Sequence, residues 1–222
     1  AVPITEYRKR GFLKDAVINY LSLLGWHPVD DEEVLTFDDI VREFSLKRVQ
    51  KSGAIFDETK LKWFNRQYIQ KLSDDDFIAN SMLFIPEWLT TRSEQMGKLI
   101  PLIREKIDCF SDIQTLFSES GELRFISKID DYPKEMLIWK KNPDINASRN
   151  HLENCHELLQ GLRPTNFEAE SIKGVLWKYA EDNGRGNVLW PLRVALTGQE
   201  KSPDPFTAAY ILEKDETLDR IN

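Results

Sequence analysis

Apolar residues recur along this chain at three- and four-residue intervals almost throughout, and that spacing commits the polypeptide to helices. Leu13, Val17, Ile18, Leu21 and Leu24 form one stripe, and Met96, Leu99, Ile100, Ile103 and Ile107 form a second. Leu152, Cys155, Leu158, Leu159 and Leu162 make a third. Period-two alternation, which a half-buried strand needs, is scarce. Helix starts are signposted at Thr36-Phe37-Asp38-Asp39, Ser73-Asp74-Asp75-Asp76 and Ser111-Asp112, where a side-chain oxygen can accept from otherwise unpaired amides. The chain is therefore expected to be all-α, a helical bundle or cage of about ten to twelve short helices. Turns fall at Trp26-His27-Pro28, Gly53, Lys141-Asn142-Pro143 and Asn183-Gly184-Arg185-Gly186, and loops at residues 30–33 and 118–122. Breaks near residues 86–92 and 141–148 divide it into two to three packets.

With 222 residues, 41% of them hydrophobic, the chain can bury one sizeable core or two smaller ones. No run approaches the roughly 18 apolar residues that span a bilayer, and the first residues do not form a secretory signal. A cytoplasmic chain with no membrane partner is expected. Its first residue is not methionine, which reads as a chain processed or cut from something longer. Cys109 and Cys155 lie far apart without a CxxC pair, so reduced thiols are expected and neither a disulfide framework nor a structural zinc site.

The formal charge of -7 opposes a polyanionic partner, but its distribution matters more than its sum. Residues 72–172 hold 11 basic and 18 acidic side chains and carry the acidity. Residues 42–71 hold eight basic side chains against three acidic ones, a local +5 able to face phosphate.

No catalytic constellation is complete. His151 and Cys155 stand four apart with His156 beside them, a spacing two metal ligands could use, yet no second pair exists and Cys155 lies on an apolar stripe. A buried core thiol, and no metal, is the expected outcome. Asp74-Asp75-Asp76 and Asp130-Asp131 offer paired carboxylates, but acids at helix starts are accounted for by the helix dipole. No Gly-rich phosphate loop follows a strand, no HExxH occurs, and Asn183-Gly184-Arg185-Gly186 has the flanks of a helix-to-helix turn.

Three strings stand out instead: Gly25-Trp26-His27-Pro28, the stretch from Phe44 to Asp57 (FSLKRVQKSGAIFD), and Lys60-Leu61-Lys62-Trp63-Phe64-Asn65. Cations interleaved with aromatics suit an RNA backbone, and equally suit a solvated cationic face over an aromatic core. FSLKRVQKSGAIFDETKLKWFN and the earlier string from Glu6 to Trp26 resemble the segment of bacterial glutamyl-tRNA synthetases that follows their second class I signature loop. Near the other end, Leu189-Trp190-Pro191-Leu192-Arg193-Val194-Ala195-Leu196-Thr197-Gly198, with Ser202-Pro203 and Phe206 after it, resembles the anticodon-binding signature of the same enzymes.

The resemblance implies a carboxy-terminal half: residues 1–88 a helical stem-contact region, 89–145 a first anticodon-binding subdomain and 146–222 a second. It implies tRNA(Glu) as partner, not DNA, and a monomer. ATP and magnesium belong to the parent ligase, whose His-Ile-Gly-His-like and Lys-Met-Ser-Lys-like motifs are not in this sequence, so no catalytic residue is expected here. Lys71-Leu72-Ser73 echoes the second motif, but Asp74 follows where a cation is required. Arg193, Ser202, Pro203 and Pro205 are implied to approach the anticodon, with Asp204 and Pro205 departing from the usual Gly-Leu. The family's Gly-Lys-Glu after the next helix reads Glu213-Lys214-Asp215. Lys47, Arg48 and Lys51 are expected to contact the tRNA backbone. Lys106 stands where a family string often carries an arginine implicated in checking the third anticodon base; an alignment shifted by two gives that role to Arg104. The other class of function left open is a free-standing helical adaptor that binds protein and no tRNA.

Overall fold

The computed structural model describes residues 3–30, 32–50, 53, 55–127, 129 and 131–222. Among them are twelve α-helices, four short 3-10 turns and no sheet, only the isolated bridge pairs Trp26 with Val49 and Trp139 with Asn142. This is the all-α fold that the apolar spacing predicts. No helix among the described residues is long and apolar enough to cross a membrane. The chain forms two compact units, residues 1–115 and 116–222.

The first unit holds α1 (Ile4–Lys9), α2 (Lys14–Leu23), α3 (Phe37–Glu43), α4 (Glu58–Lys71), α5 (Asp74–Ser81), α6 (Glu87–Thr90) and α7 (Ser93–Lys106); α8 (Asp112–Leu116) crosses the boundary. Its core packs Tyr7, Phe12, Val17, Tyr20, Leu61, Phe64 and Cys109, mostly from α1, α2 and α4. A satellite cluster gathers Trp26, Leu35 and Ile40. Two buried asparagines lock these pieces together. Asn65 accepts the Leu13 amide at 2.7 Å and donates to the Asp108 carbonyl at 2.6 Å. Asn19 accepts from the Leu35 amide at 3.0 Å and the Tyr68 hydroxyl at 2.9 Å. Because Asn19 must face inward to reach those donors, α2 buries Ala16, Val17, Asn19 and Tyr20. Leu21, on the expected apolar stripe, is 46% exposed. The stripe of α7 is buried as expected at Met96, Leu99, Ile100 and Ile103, with Ile107 just beyond the helix.

Two of the three signposted helix starts are capped. Thr36 accepts from Asp39 while Asp39 accepts in return from the Thr36 amide, and Ser73 accepts from Asp76. The third differs: Asp112 opens α8, but its carboxylate turns back to take the Asp108 and Cys109 amides at 2.9 and 3.0 Å.

The second unit is built on α9 (Ile145–Gln160), α10 (Ala169–Asn183), α11 (Arg185–Thr197) and α12 (Pro205–Ile221). α11 packs against the other three and is buried at Val188, Pro191, Leu192, Val194, Ala195, Leu196 and Thr197, the mark of a central helix. α10 and α11 meet at Gly184, whose φ of 89° suits glycine; the helix-to-helix turn expected over Asn183 to Gly186 narrows to this one residue, since Asn183 ends α10 and Arg185 opens α11.

α12 breaks at Glu213, which holds φ 66° and ψ 171°, a conformation almost confined to glycine. This is the position where the resembled family carries glycine. The break aims the Lys214 ammonium at the last carbonyls of the α9 segment, Gln160 at 2.8 Å and Leu162 at 2.5 Å. After it, Arg220 reaches the Phe125 carbonyl at 2.9 Å and the Leu196 carbonyl at 2.7 Å. Relieving the strain at the break, less the entropy glycine adds to the unfolded chain, is expected to make Glu213→Gly more stable by ~1 kcal/mol. A urea midpoint that rises at unchanged m-value bears this out; a fall means that the glutamate side chain outweighs the strain.

Candidate nucleic-acid interface

From Pro191 to Thr197 every side chain of α11 is buried except Arg193, which is half-buried. Its Nε is shut off from solvent and has no hydrogen-bond partner. An unanswered donor on an obligate cation is costly inside a folded protein, but Asn19, Trp26, Arg48 and Gln199 also hold buried side-chain atoms without a partner; Arg193 is set apart by being half-buried in a stretch whose other side chains are closed. The loop that follows is built as a rim. Gly198 closes α11 in the left-handed conformation, φ 64°, and its amide returns to Val194 at 2.7 Å. The Thr197 hydroxyl donates to the Arg193 carbonyl at 2.8 Å, accepts the Gln199 amide at 3.2 Å and lies 3.3 Å from Ser202 Oγ. Gln199 Nε2 donates to the Gly121 carbonyl at 2.9 Å, leaving its Oε1 buried and unpartnered. Sequence reasoning passed over Gln199, although its place directly after the PLRVALTG string was a signal.

The structure thus brings Arg193 and Ser202 to one helix end and its loop. Pro203 and Pro205 are there too, but buried, so they act by fixing the shape of the loop. The departure at Asp204-Pro205 has a local cause. Asp204 caps α12, accepting the Phe206 and Thr207 amides at 3.0 Å each, and Pro205 occupies the first helical position, where a missing amide is harmless.

In the first unit, Leu46 to Arg48 form a 3-10 turn that the bridge between Trp26 and Val49 holds against the Gly25-Trp26 string. Lys47 is exposed on this turn. Arg48 points inward: its guanidinium donates to the Glu43 carbonyl and lies 5.5 Å from the Trp26 ring centre. Lys51 is outside the described residues. The local +5 is smaller in three dimensions, because acids from outside the segment fold onto it. Arg42 pairs with Asp39 at 2.5 Å, Lys60 with Glu33 at 2.7 Å and Arg66 with Asp108 at 3.4 Å.

Lys106 is the half-buried last residue of α7. Arg104 has a full set of internal partners. It donates to the Leu72 carbonyl at 2.5 Å and to Asp74 at 2.6 Å, lies 4.7 Å from the Phe77 ring centre, and its side chain is 12% exposed.

The residues weighed for other chemistry have structural places. Cys155 is fully buried, and burial pushes its thiol up to about 12. His151 Nδ1 lies 2.9 Å from the Tyr179 hydroxyl, and burial lowers its pKa. Asp74, Asp75 and Asp76 form the first turn of α5, behind the Ser73 cap. Among the described residues no group of three His, Cys, Asp or Glu could hold a metal ion.

A family model described as an anticodon binding domain matches residues 61–222, and one described as the catalytic domain of class I tRNA synthetases (E and Q) matches residues 1–63. The chain is 36% identical to the glutamate–tRNA ligase of Clostridium acetobutylicum, over 96% of this chain and 43% of that protein. To the glutamate–tRNA ligase of Clostridium novyi it is 34% identical, over 96% and 44%. The crystal structure of the glutamate-tRNA synthetase from Elizabethkingia anophelis matches it with a TM-score of 0.73 at 31% identity, over 97% of this chain and 41% of that one. The chain spans less than half the length of these relatives. With the anticodon-binding model running from Leu61 to the last residue, it belongs to the anticodon binding domain family, in the form that glutamate–tRNA ligases carry.

Proposed function

We propose that this chain, a cytoplasmic monomer, binds tRNA(Glu) as the anticodon-reading part of a glutamate–tRNA ligase. Arg193, Ser202, Pro203 and Pro205 form the anticodon-facing rim, Lys106 checks a further anticodon base, and Lys47, Arg48 and Lys51 serve the tRNA backbone. The functional segments are residues 1–88 for the stem and 89–145 and 146–222 for the anticodon. The observation that carries the reading is Arg193: from Pro191 to Thr197 it is the one side chain not buried, and it stands at the helix end that leads into the loop of Ser202. The whole ligase would attach glutamate to tRNA with ATP and magnesium. Neither signature motif for that chemistry occurs in this sequence, and no step of it is assigned to these residues. Filter binding of a tRNA(Glu) transcript at two salt concentrations tests the reading. Affinity that falls steeply with salt supports it, because neutralised phosphates release counterions.

The adaptor reading draws support from Phe37 and Val41 of α3 and Phe44 just after it, which are 52%, 63% and 51% exposed. It predicts no tRNA affinity and no salt dependence in the same assay.

The geometry separates the two described members of the backbone set. Lys47→Ala is expected to lower the slope of log affinity against log salt by about 0.9 without moving the melting temperature, as the loss of one phosphate contact should. Arg48→Ala is expected to cost ~2 kcal/mol of stability, since it removes a charged hydrogen bond and the cover over Trp26. An unchanged slope for Lys47→Ala would assign that lysine to a solvated face.

A further inference from the structure

Trp177 lies outside every string that carries the family resemblance. Lys173, Trp177 and Glu181 follow one another at four-residue spacing on one face of α10. The turn at Gly184 then folds the start of α11 back over that face. Arg185 lies with its guanidinium carbon 4.5 Å from the Trp177 ring centre, and the Lys173 ammonium is 5.6 Å from it. Glu181 pairs with Arg185 at 2.6 Å through one nitrogen, while 58% of the arginine side chain stays exposed. On its inner side Trp177 meets Phe206, ring centres 6.2 Å apart. Phe206 is the second residue of α12, directly after the loop that carries Ser202, Pro203 and Pro205.

A half-buried indole, a guanidinium held against it and a second cation make an arrangement that recognises a flat ring attached to a phosphate. The aromatic and guanidinium planes stack with the ring, and the cations neutralise the phosphate. We infer that Trp177, with Arg185 and Lys173, is a stacking platform for an unpaired base of the anticodon loop, beside the 198–205 rim. The inference rests on the tRNA reading and adds to it a contact residue that the resemblance does not supply. Stacking on such a platform tolerates any base, so Trp177 is assigned to affinity and Arg193 to discrimination.

The test uses the whole chain and a hairpin RNA of the tRNA(Glu) anticodon arm, with 2-aminopurine placed in turn at each loop position. Wild type should quench the fluorophore at one position. Trp177→Ala should abolish that quenching and weaken binding about 5- to 100-fold. Because Trp177 also packs on Phe206, Trp177→Phe and Trp177→Leu accompany it, with melting curves for all three. Phenylalanine should keep most of the affinity, and leucine, which fills space without a π-face, should lose it. Wild-type binding with Trp177→Ala or Trp177→Leu within twofold of it would overturn the platform and leave the tRNA reading intact. A wild-type chain that does not bind the hairpin would overturn the tRNA reading, and the platform with it.

Discussion

Replacing Arg104 with alanine is expected to destabilise the first unit by about 3 kcal/mol while leaving any preference among anticodon bases unchanged. The side chain closes the junction between α4 and α5. One arm of its fork takes the Leu72 carbonyl, the other takes Asp74, and the guanidinium covers Phe77. At 12% exposure little of it is left to meet a ligand. Alanine would strand a carbonyl that no longer has its charged donor and open a gap beside an aromatic ring, two of the established routes to large losses. Chemical denaturation of the purified variant measures the effect. At Lys106 the expected change is in recognition. Lysine offers a mobile point charge where arginine offers a rigid fork, so Lys106→Arg is expected to raise the preference for cytosine over guanine at the third anticodon base, and with it rejection of a glutamine tRNA carrying UUG. Binding ratios for transcripts differing only at that base decide the matter. A ratio unmoved by Lys106→Arg but collapsed by Arg104→Ala would reverse the assignment.

Arg193→Lys should cost about 1–3 kcal/mol of discrimination between anticodon bases, with little change in melting temperature. The substitution keeps the charge and most of the length but removes the planar fork that can bond a base edge twice and stack on its face. Stability should hold because Nε has no internal partner to lose. The opposite pattern, a lower melting temperature with base preference intact, would make Arg193 a brace between helices. Competition between transcripts that differ at one anticodon position, run beside thermal melts of both proteins, separates the two.

Much of this architecture was legible in the chain itself. The apolar stripes of α7 and α9 mark most of their buried faces, α9 adding only Ser148, and the Thr36 and Ser73 caps lie where a hydroxyl and an acid three residues later require. The face of α2 was harder to read. Its orientation is decided by Asn19, whose partners Leu35 and Tyr68 are 16 and 49 residues away, and no local pattern can announce them. The same limit applies to the basic segment. A count of charges along residues 42–71 cannot know that Glu33, Asp39 and Asp108 will fold onto three of its cations. At the rim, the string PLRVALTG named Arg193, but only packing shows that the other side chains from Pro191 to Thr197 are spent on the core and that Arg193 Nε is unanswered. Glu213 belongs to both kinds: the departure from glycine is visible in the sequence, and its backbone strain only in the fold.

Whether the chain distinguishes anticodons is decided by an anticodon transplant. Affinities would be measured at one fixed salt concentration for a tRNA(Glu) transcript, for the same transcript with its three anticodon bases replaced, and for an unrelated tRNA given the glutamate anticodon. Phosphate contacts are common to all three, so the differences isolate base recognition. Replacing the anticodon is expected to weaken binding at least about tenfold and the transplant to restore a large part of it, each misread base costing ~1–3 kcal/mol. Equal affinity for all three transcripts would mean that the chain does not read the anticodon.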